Sequence, residues 1–369
     1  MKFTCDKSLL QAACNVASRA VPSKSPISSL EGLLIEVGSS IKITGYDLKK
    51  GIYTYLDADI YEQGKTVVNA RFFVEMLRRL PDGILTFSCD ERNGISCKCG
   101  KSEYNFIGLD DSEYPEMPKF DGLQKIEIPQ NILKSMIDQT IFAVSKDEAR
   151  PVYTGTLFEI ENDSLCLVSV DGYRLARRTE ILKNCQLENC SFIVPGFSLT
   201  DIEKICDDSD NPASISVGEK HISFNIGNTV LVTRRLDGDF LNHRKAVPEN
   251  FRYVIEINRN EMISVIDRVA LMLSEKNGNP VRITFEDGKI DCLCITPIGK
   301  AEDVCSCIGD GEGLEIGFND RYMLDALKAA DAETLHLCLN TSSSPCVVKA
   351  AEDEGKFTYM ILPVRLHAN

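Results

Sequence analysis

The chain has 369 residues, enough for two or three domains, and its 43% hydrophobic content allows a sizeable core without disulfides or metals. Acidic residues outnumber basic ones by 55 to 41, and the net charge of −14 argues against a partner held by overall positive charge, although a basic surface on one face remains possible. The start of the chain is polar, and no apolar run reaches the roughly 18 residues of a membrane span. We therefore expect a cytoplasmic protein with no membrane contact, whose fifteen cysteines are free thiols.

Three cysteine pairs have C-x-C spacing, namely Cys97/Cys99, Cys292/Cys294 and Cys305/Cys307. On a strand this spacing places both thiols on one face, which favours cysteines that point into a core. A zinc site is the alternative, but no pair has C-x-x-C spacing and the chain has only four histidines. The common catalytic and phosphate-binding signatures are absent from the sequence. We expect no metal, no cofactor and no catalytic residue.

A strand followed by an amphipathic helix is predicted three times along the chain. The strands begin at Phe3, Ile126 and Ile255. Each helix has apolar residues at helical spacing, and Asn258 is a good N-cap for the third. Because the intervals between the strands are similar, this pattern indicates an internal repeat of about 125 residues.

A second strand and helix repeat in step with the first. Their strands are centred on Val68, Val194 and Phe318, which are 126 and 124 residues apart. An alternating strand follows each of these helices, and further period-2 stretches predict antiparallel sheet. The predicted fold class is α+β, with three copies of a domain in which two helices pack against antiparallel sheets. The predicted domains are residues 1–122, 123–252 and 253–369.

Every one of the six predicted helices carries at least one Lys or Arg. A basic face shared by these helices is one interpretation. The other is that they are ordinary surface helices, since several also carry Asp or Glu.

The stretch from Ser164 to Arg178 predicts a strand, an Asp171-Gly172 turn and a second strand with three arginines. A hairpin that lifts Tyr173, Arg174 and Leu175 off a sheet would form a recognition surface. The alternative is an ordinary hairpin whose arginines are solvated.

With the threefold repeat, several local strings make the whole chain resemble the bacterial β sliding clamp family, the DNA polymerase III beta subunit. These strings are Arg150-Pro151-Val152, Gly155-x-Leu157-Phe158, Val170-Asp171-Gly172-Tyr173-Arg174-Leu175-Ala176, Leu236-Asp237-Gly238-x-Phe240 and Leu362-Pro363-Val364-Arg365-Leu366. The resemblance implies a processivity factor that is not an enzyme. Two copies would join head to tail in a ring, with the helices facing duplex DNA without reading its sequence. The replicative polymerase, the clamp loader and repair proteins would dock through short peptide motifs.

The resemblance also implies three sets of site residues. The partner-peptide cleft would be formed by Tyr153, Val170, Gly172, Tyr173, Arg174, Leu175, Leu241, Val247, Met360, Leu362, Pro363, Val364 and Arg365. Arg174 and Arg365 would lie at its rim. Near DNA the resemblance places Lys24, and the cations of the predicted helices add Arg71, Arg78, Arg79 and Lys204 as further candidates. The dimer interface would be formed by Tyr104, Phe106, Leu271, Met272 and Leu273.

Tyr153, Tyr173 and Leu241 depart from the usual family residues, which affects the specificity of the cleft rather than its presence. The tail from Pro363 to Asn369 is expected to close no domain core, so that its deletion would remove partner binding only. Two other function classes are an enzyme that uses Asp171 and Tyr173, and a repeat-domain scaffold that binds proteins without encircling DNA.

Overall fold

The computed structural model describes residues 1–118, 124–182, 189–273, 280–353 and 355–366. The predicted boundary near residue 122 and the terminal segment His367–Asn369 therefore lie outside the described residues. Of the C-x-C pairs, both members of Cys97/Cys99 and Cys292/Cys294 are buried. Cys305 is buried as well, and Cys307 is half-buried. These thiols belong to the core, as the strand spacing predicts.

The strands of the first repeat are Lys2–Asp6 (β1), Gly32–Val37 (β2), Ile41–Tyr46 (β3), Lys50–Leu56 (β4), Asp59–Glu62 (β5), Gly64–Asn69 (β6), Ile84–Cys89 (β7), Gly94–Cys99 (β8) and Ser102–Ile107 (β9). Its helices are Lys7–Ala17 (α1) and Ala70–Arg79 (α2).

The strands of the second repeat are Gln124–Pro129 (β10), Gly155–Glu161 (β11), Ser164–Val170 (β12), Arg174–Ile181 (β13), Cys190–Pro195 (β14), Pro212–Val217 (β15), His221–Ile226 (β16) and Thr229–Arg234 (β17). Its helices are Gln130–Ile141 (α3), Gly196–Ile205 (α4) and the single turn His243–Ala246 (α5).

The strands of the third repeat are Tyr253–Asn258 (β18), Val281–Glu286 (β19), Lys289–Thr296 (β20), Gly299–Ile308 (β21), Leu314–Phe318 (β22), Thr334–Leu339 (β23), Cys346–Ala350 (β24) and Phe357–Ile361 (β25). Its helices are Arg259–Ala270 (α6) and Asp320–Ala329 (α7). The predicted α+β class, with two long helices in each repeat, is confirmed.

Asparagine side chains begin three of the long helices. Asn69, Asn258 and Asn319 each accept a hydrogen bond from the backbone N–H three residues ahead, at 3.0 to 3.1 Å. Such a cap satisfies a donor that has no partner within the helix. The predicted cap at Asn258 is therefore confirmed.

The chain divides into two compact units, and each contains strands from two repeats. The first unit comprises residues 1–134 and 201–235. It holds a five-stranded sheet, in the order β5-β1-β7-β8-β9, and an eight-stranded sheet, in the order β10-β15-β16-β17-β4-β3-β2-β6. Antiparallel pairing of β17 with β4 joins strands of the second repeat to strands of the first.

The second unit comprises residues 135–200 and 236–369 and holds a twelve-stranded sheet. Its strand order is β14-β11-β12-β13-β25-β24-β23-β18-β21-β20-β19-β22. Antiparallel pairing of β13 with β25 joins the second repeat to the third. Each unit therefore contains one junction between repeats, made by continuous sheet. Among the described residues, no helix is long and apolar enough to cross a membrane.

Candidate functional site

The Asp171-Gly172 turn joins β12 to β13 as a tight hairpin. Gly172 has φ +94°, a conformation that glycine adopts without steric cost. The Asp171 carboxylate accepts hydrogen bonds from the backbone N–H groups of Tyr173, at 2.9 Å, and Arg174, at 3.0 Å. The Tyr173 side chain is 63% exposed. The sequence predicts this turn, and the carboxylate at its first position holds it rigid.

Arg174 is half-buried, and its guanidinium is engaged within the fold instead of open to an incoming chain as expected at the rim. Its guanidinium donates to Asp171 at 3.0 Å, to Asp325 at 2.6 Å and to the Phe142 carbonyl at 2.5 Å. Its central carbon lies 4.4 Å from the centre of the Tyr322 ring. Because these contacts already use the guanidinium, its role in this structure is to fix the hairpin to α7.

Arg178 is fully buried, with 2% of its surface exposed. Its guanidinium donates to the Thr179 carbonyl and, at 3.0 Å, to Glu180. The alternative of an ordinary hairpin with solvated arginines is therefore wrong for both Arg174 and Arg178. Burying a cation costs free energy unless it is paired and hydrogen-bonded, and Thr179 and Glu180 supply these partners to Arg178.

The hairpin lies directly beside the C-terminal strand. Leu175 of β13 is paired with Met360 of β25 and with Val170 of β12. The Leu362 N–H donates to the Tyr173 carbonyl at 2.8 Å. Sequence reasoning placed these segments in one site, and the structure brings them together.

The predicted cleft residues form a buried floor and a more exposed edge. Leu175, Val170 and Met360 are 0%, 5% and 7% exposed and make the floor. The edge is half-buried at Tyr153, Val247, Leu362, Pro363 and Val364, and exposed at Gly172, Tyr173, Leu241 and Arg365. Such a surface, with apolar side chains on a buried floor and partly exposed side chains at its edge, suits an extended or helical peptide.

Sequence reasoning missed several residues that complete this surface. Phe240, Ala246 and Phe251 pack with Val247 against the cluster that contains Leu175 and Met360. Phe240 also meets the Tyr153 ring edge-to-face, with ring centres 5.5 Å apart. A usable signal existed for Phe240, since it belongs to one of the strings that carry the resemblance.

The C-terminal tail is attached to β22 of the third repeat in addition to lining the cleft. The Val364 N–H donates to the Gly317 carbonyl at 2.8 Å. A Cβ added to Gly317 would lie 2.7 Å from Leu366 Cδ2, so that the tail packs closely over this glycine. Deleting the tail would therefore expose part of β22 as well as remove cleft residues.

The short helix α5, which also carries Ala246 of the cleft cluster, begins with a buried histidine. His243 is 4% exposed, and its Nε2 lies 3.2 Å from Glu159. Burial lowers the pKa of His243, and the hydrogen bond with Glu159 opposes that shift only in part. Burial alone would raise the pKa of Glu159, but hydrogen bonds from Arg244 and His243 outweigh it and lower the pKa.

The residues expected near DNA are all on the surface of the first unit. Exposed side chains are found at Lys24, Arg71, Arg78, Arg79 and Lys204. Glu75 forms ion pairs with Arg78 and Arg79, each at 2.7 Å. Hydrogen bonds from these two arginines hold the pKa of Glu75 below its usual range. A phosphate that approached them would compete with this carboxylate.

The residues expected at a dimer interface differ in exposure. Tyr104 is 38% exposed, and its strand β9 forms one edge of the five-stranded sheet. Phe106 of the same strand is half-buried, with its ring centre 5.2 Å from that of Phe72. In the second unit Leu271 is 82% exposed, whereas Met272 and Leu273 pack against the core of their own unit.

Among the described residues, no group of three or more His, Cys, Asp or Glu side chains is arranged to hold a metal ion. The features found among the described residues are an apolar cleft, an exposed basic set and a sheet edge with Tyr104 and Phe106. All three suit binding to macromolecules.

Comparison with known proteins gives matches along the whole chain. Family models of the DNA polymerase III beta subunit match residues 1–118 (N-terminal domain), 127–242 (central domain) and 244–365 (C-terminal domain). The chain is 31% identical over 379 residues to the beta sliding clamp of Bacillus subtilis strain 168, and the match covers 100% of both proteins.

Solved structures give the same result. The DNA polymerase sliding clamp from Bacillus subtilis is 31% identical with a TM-score of 0.95, and the match covers 100% of each chain. The DNA polymerase III beta chain from Streptococcus pneumoniae is 27% identical with a TM-score of 0.94, and the match covers 99% of this chain and 100% of that one.

Proposed function

The chain belongs to the DNA polymerase III beta subunit family, and we propose that it is a DNA sliding clamp, a processivity factor that encircles duplex DNA and tethers the replicative polymerase. The observation that carries this proposal is the match of the three family domains, in order, to the three repeats of the chain. Its activity in this proposal is binding and sliding, with no catalytic step of its own, in the cytoplasm.

The exposed cations of the first unit support contact with DNA. Lys24, Arg71 and Lys204 are exposed in a chain whose net charge is −14. Cations that meet phosphates give affinity without sequence information, and this affinity falls as salt rises. The excess of acidic residues over the rest of the chain would keep DNA from binding elsewhere. This combination favours a loose, sequence-independent hold that permits sliding.

The strand edge β9 and the exposed Leu271 support assembly of two copies in a ring. Tyr104 lies on an open sheet edge, which is a template for pairing with another chain. Leu271, 82% exposed, offers an apolar side chain that a soluble monomer would leave in water. We assign Tyr104, Phe106, Leu271, Met272 and Leu273 to a head-to-tail homodimer interface. The domain limits at residues 122 and 252 are part of the same proposal.

The partner cleft supports recruitment of other proteins. Its buried floor of Val170, Leu175 and Met360 is preorganised, so that a peptide needs to order only itself. Leu362 and Val247 at its edge are half-buried and available for further apolar contact. We propose that short peptide motifs of the replicative polymerase, the clamp loader and repair proteins bind here.

Retention on circular DNA tests the proposed function. The protein is loaded on nicked circular DNA with its cognate clamp loader, and the amount that co-elutes with DNA is measured before and after linearisation. A clamp stays on the circle and leaves the linear form, because it slides off the ends. Release from both forms alike, or retention on both, would contradict encirclement. Leu271→Asp serves as a ring-deficient control.

A further inference from the structure

The two junctions between repeats are built in the same way. Lys50 begins β4 and forms a buried ion pair with Asp201 of α4, while Arg174 begins β13 and forms an ion pair with Asp325 of α7. The partners are separated by 151 residues in both pairs. The first pair lies at the junction within the first unit and the second at the junction within the second unit. Position for position, the β3–β4 hairpin therefore corresponds to the β12–β13 hairpin.

This correspondence assigns a counterpart to the floor of the partner cleft. In the second unit, strand pairing forms the row Val170, Leu175, Met360. In the first unit, the same pairing positions form the row Tyr46, Gly51, Val232. The central leucine of the cleft is thus replaced by a glycine, which leaves space above the sheet.

The chain fills this space with its own residue Met117. A Cβ added to Gly51 would lie 2.7 Å from Met117 Sδ and even closer to its terminal methyl group. Since no real Cβ approaches another atom so closely, Met117 occupies the volume that a side chain at residue 51 would need. Tyr114 is inserted beside it, 9% exposed, and donates a hydrogen bond to the Thr44 carbonyl at 3.3 Å.

The segment that carries these residues, the 109–118 connector, is attached like its counterpart in the second unit. The Leu109 N–H donates to the Val67 carbonyl at 2.7 Å, and the Leu236 N–H donates to the Ile193 carbonyl at 3.0 Å. Beyond this shared bridge the two segments diverge. The second continues into α5 and places Val247 beside the cleft, whereas the first lies directly over Gly51.

The connector leaves part of the surface open. A cavity of about 720 Å³ is lined by Thr44, Tyr53, Tyr55, Ser223 and Asn225 as well as by the connector. The Thr44 hydroxyl is buried and has no hydrogen-bond partner among the described residues. An extended chain therefore finds here apolar contacts with Leu34 and Val232, the aromatic walls of Tyr53 and Tyr55, and polar groups that fix its register, the usual elements of a peptide site.

We propose that the first junction is a second peptide-binding groove of the same construction as the partner cleft, and that Tyr114 and Met117 of the connector occupy it in cis. The inference rests on the proposed function only in taking Val170, Leu175 and Met360 as the floor of the partner cleft. It explains how a chain with two equivalent junctions offers partners a single cleft. A chain with apolar anchors binds the groove once the connector is displaced.

The test uses a fluorescein-labelled peptide with the sequence of residues 110–118, Asp-Asp-Ser-Glu-Tyr-Pro-Glu-Met-Pro. Fluorescence anisotropy measures binding of this peptide to the full-length protein and to the double variant Tyr114→Ser/Met117→Ser. Near-UV circular dichroism confirms that the variant is folded. We expect one peptide bound per protomer of the variant, and at least tenfold weaker binding to the wild type. Glu113→Gln/Glu116→Gln, which alters the same segment but keeps the anchors, should behave like the wild type.

Two further changes locate the binding. Gly51→Met in the double variant restores the missing volume and should abolish peptide binding, whereas Leu362→Asp, at the partner cleft, should leave it intact. If the folded double variant binds no peptide, or if Leu362→Asp removes the binding and Gly51→Met does not, the proposal is overturned. Should the double variant not fold, Met117→Ser alone is tested against the same outcomes. Polymerase stimulation by the wild type, measured in parallel, reports on the proposed function separately.

Discussion

Arg174 and Asp325 form an ion pair at 2.6 Å that fixes the β12–β13 hairpin to α7. The arginine side chain is 11% exposed and the aspartate side chain 42%, so water reaches mainly the aspartate of the pair. The same guanidinium stacks on Tyr322 and donates to Phe142. The hairpin is thus held rigidly where it borders the partner cleft, which keeps the cleft preorganised.

Replacing Arg174 with alanine should destabilise the protein. The change leaves the Phe142 carbonyl and the Asp325 carboxylate without this donor. A hydrogen bond to a charged group contributes roughly 1.5–3 kcal/mol to stability. We expect a loss of about 2 kcal/mol in the free energy of unfolding, measured by urea denaturation. Arg365→Ala, at an exposed position of the same cleft, should change it by less than about 0.5 kcal/mol. Equal stability of the two variants would contradict the anchoring role.

Alanine substitutions at Leu175 and Leu362 should distinguish an effect on stability from an effect on partner binding. Leu175 is fully buried, so Leu175→Ala should lower the free energy of unfolding by about 2–5 kcal/mol and weaken partner binding as well. Leu362 is half-buried, and Leu362→Ala should reduce affinity for the replicative polymerase about tenfold with little effect on stability. Surface plasmon resonance with the polymerase and urea denaturation measure the two effects. Unchanged affinity in both variants would place the cleft elsewhere.

The sequence predicts the repeat, the fold class and the Asp171-Gly172 hairpin because these depend on periodicity and on turn chemistry, both of which are local. The burial of Arg174 and Arg178 could not be predicted in this way. Arg174 depends on Asp325 and Phe142, 151 and 32 residues away in sequence, and Arg178 donates to the Lys356 carbonyl, 178 residues away.

The occupation of the first junction by Met117 could not be predicted from the sequence either. Gly51 has an ordinary sequence context, and the connector reads as a polar surface segment because of its acidic residues and prolines. Only the strand register shows that Gly51 corresponds to Leu175, and only the fold places Met117 above it. Sequence patterns identify the elements, whereas the contacts that distinguish the two junctions are tertiary.

Glu75 should act as an internal competitor for DNA phosphates. It pairs with both Arg78 and Arg79, so Glu75→Gln removes one negative charge and releases two cations. We expect tighter DNA binding and a steeper dependence of the affinity on salt concentration. Arg71→Glu should have the opposite effect on both quantities. Fluorescence anisotropy with a labelled duplex over a salt series measures them, and an unchanged salt slope in both variants would contradict DNA contact by α2.

Leu271→Asp should convert the proposed homodimer to monomers. Because Leu271 is 82% exposed, a charge there should change the free energy of unfolding of the protomer little. The same charge should strongly weaken an apolar dimer interface. Ile181→Asp is a matched control in the same unit, since Ile181 is 80% exposed and lies outside the assigned interface. Native mass spectrometry at micromolar concentration should show monomers for the first variant only. A dimeric Leu271→Asp variant would refute the assignment of this residue.

The environment of His243 predicts how stability changes with pH. His243 is buried against Glu159 of β11, with Arg177 of β13 and Arg244 of α5 also acting on it, and burial lowers its pKa below the ordinary value near 6.5. A group whose pKa is lowered by folding binds more protons in the unfolded state, so its contribution to stability is present above the unfolded pKa and is lost as the pH falls. We expect the free energy of unfolding to decrease below about pH 6.5, by at most about 1.4 kcal/mol per pH unit from this one group.

His243→Gln should flatten the dependence between about pH 6.5 and pH 5, while the carboxylate of Glu159, whose pKa is also lowered, still produces a decline at lower pH. Urea denaturation across this range measures the slope, and a slope that is the same in wild type and His243→Gln would show that His243 does not titrate differently on folding.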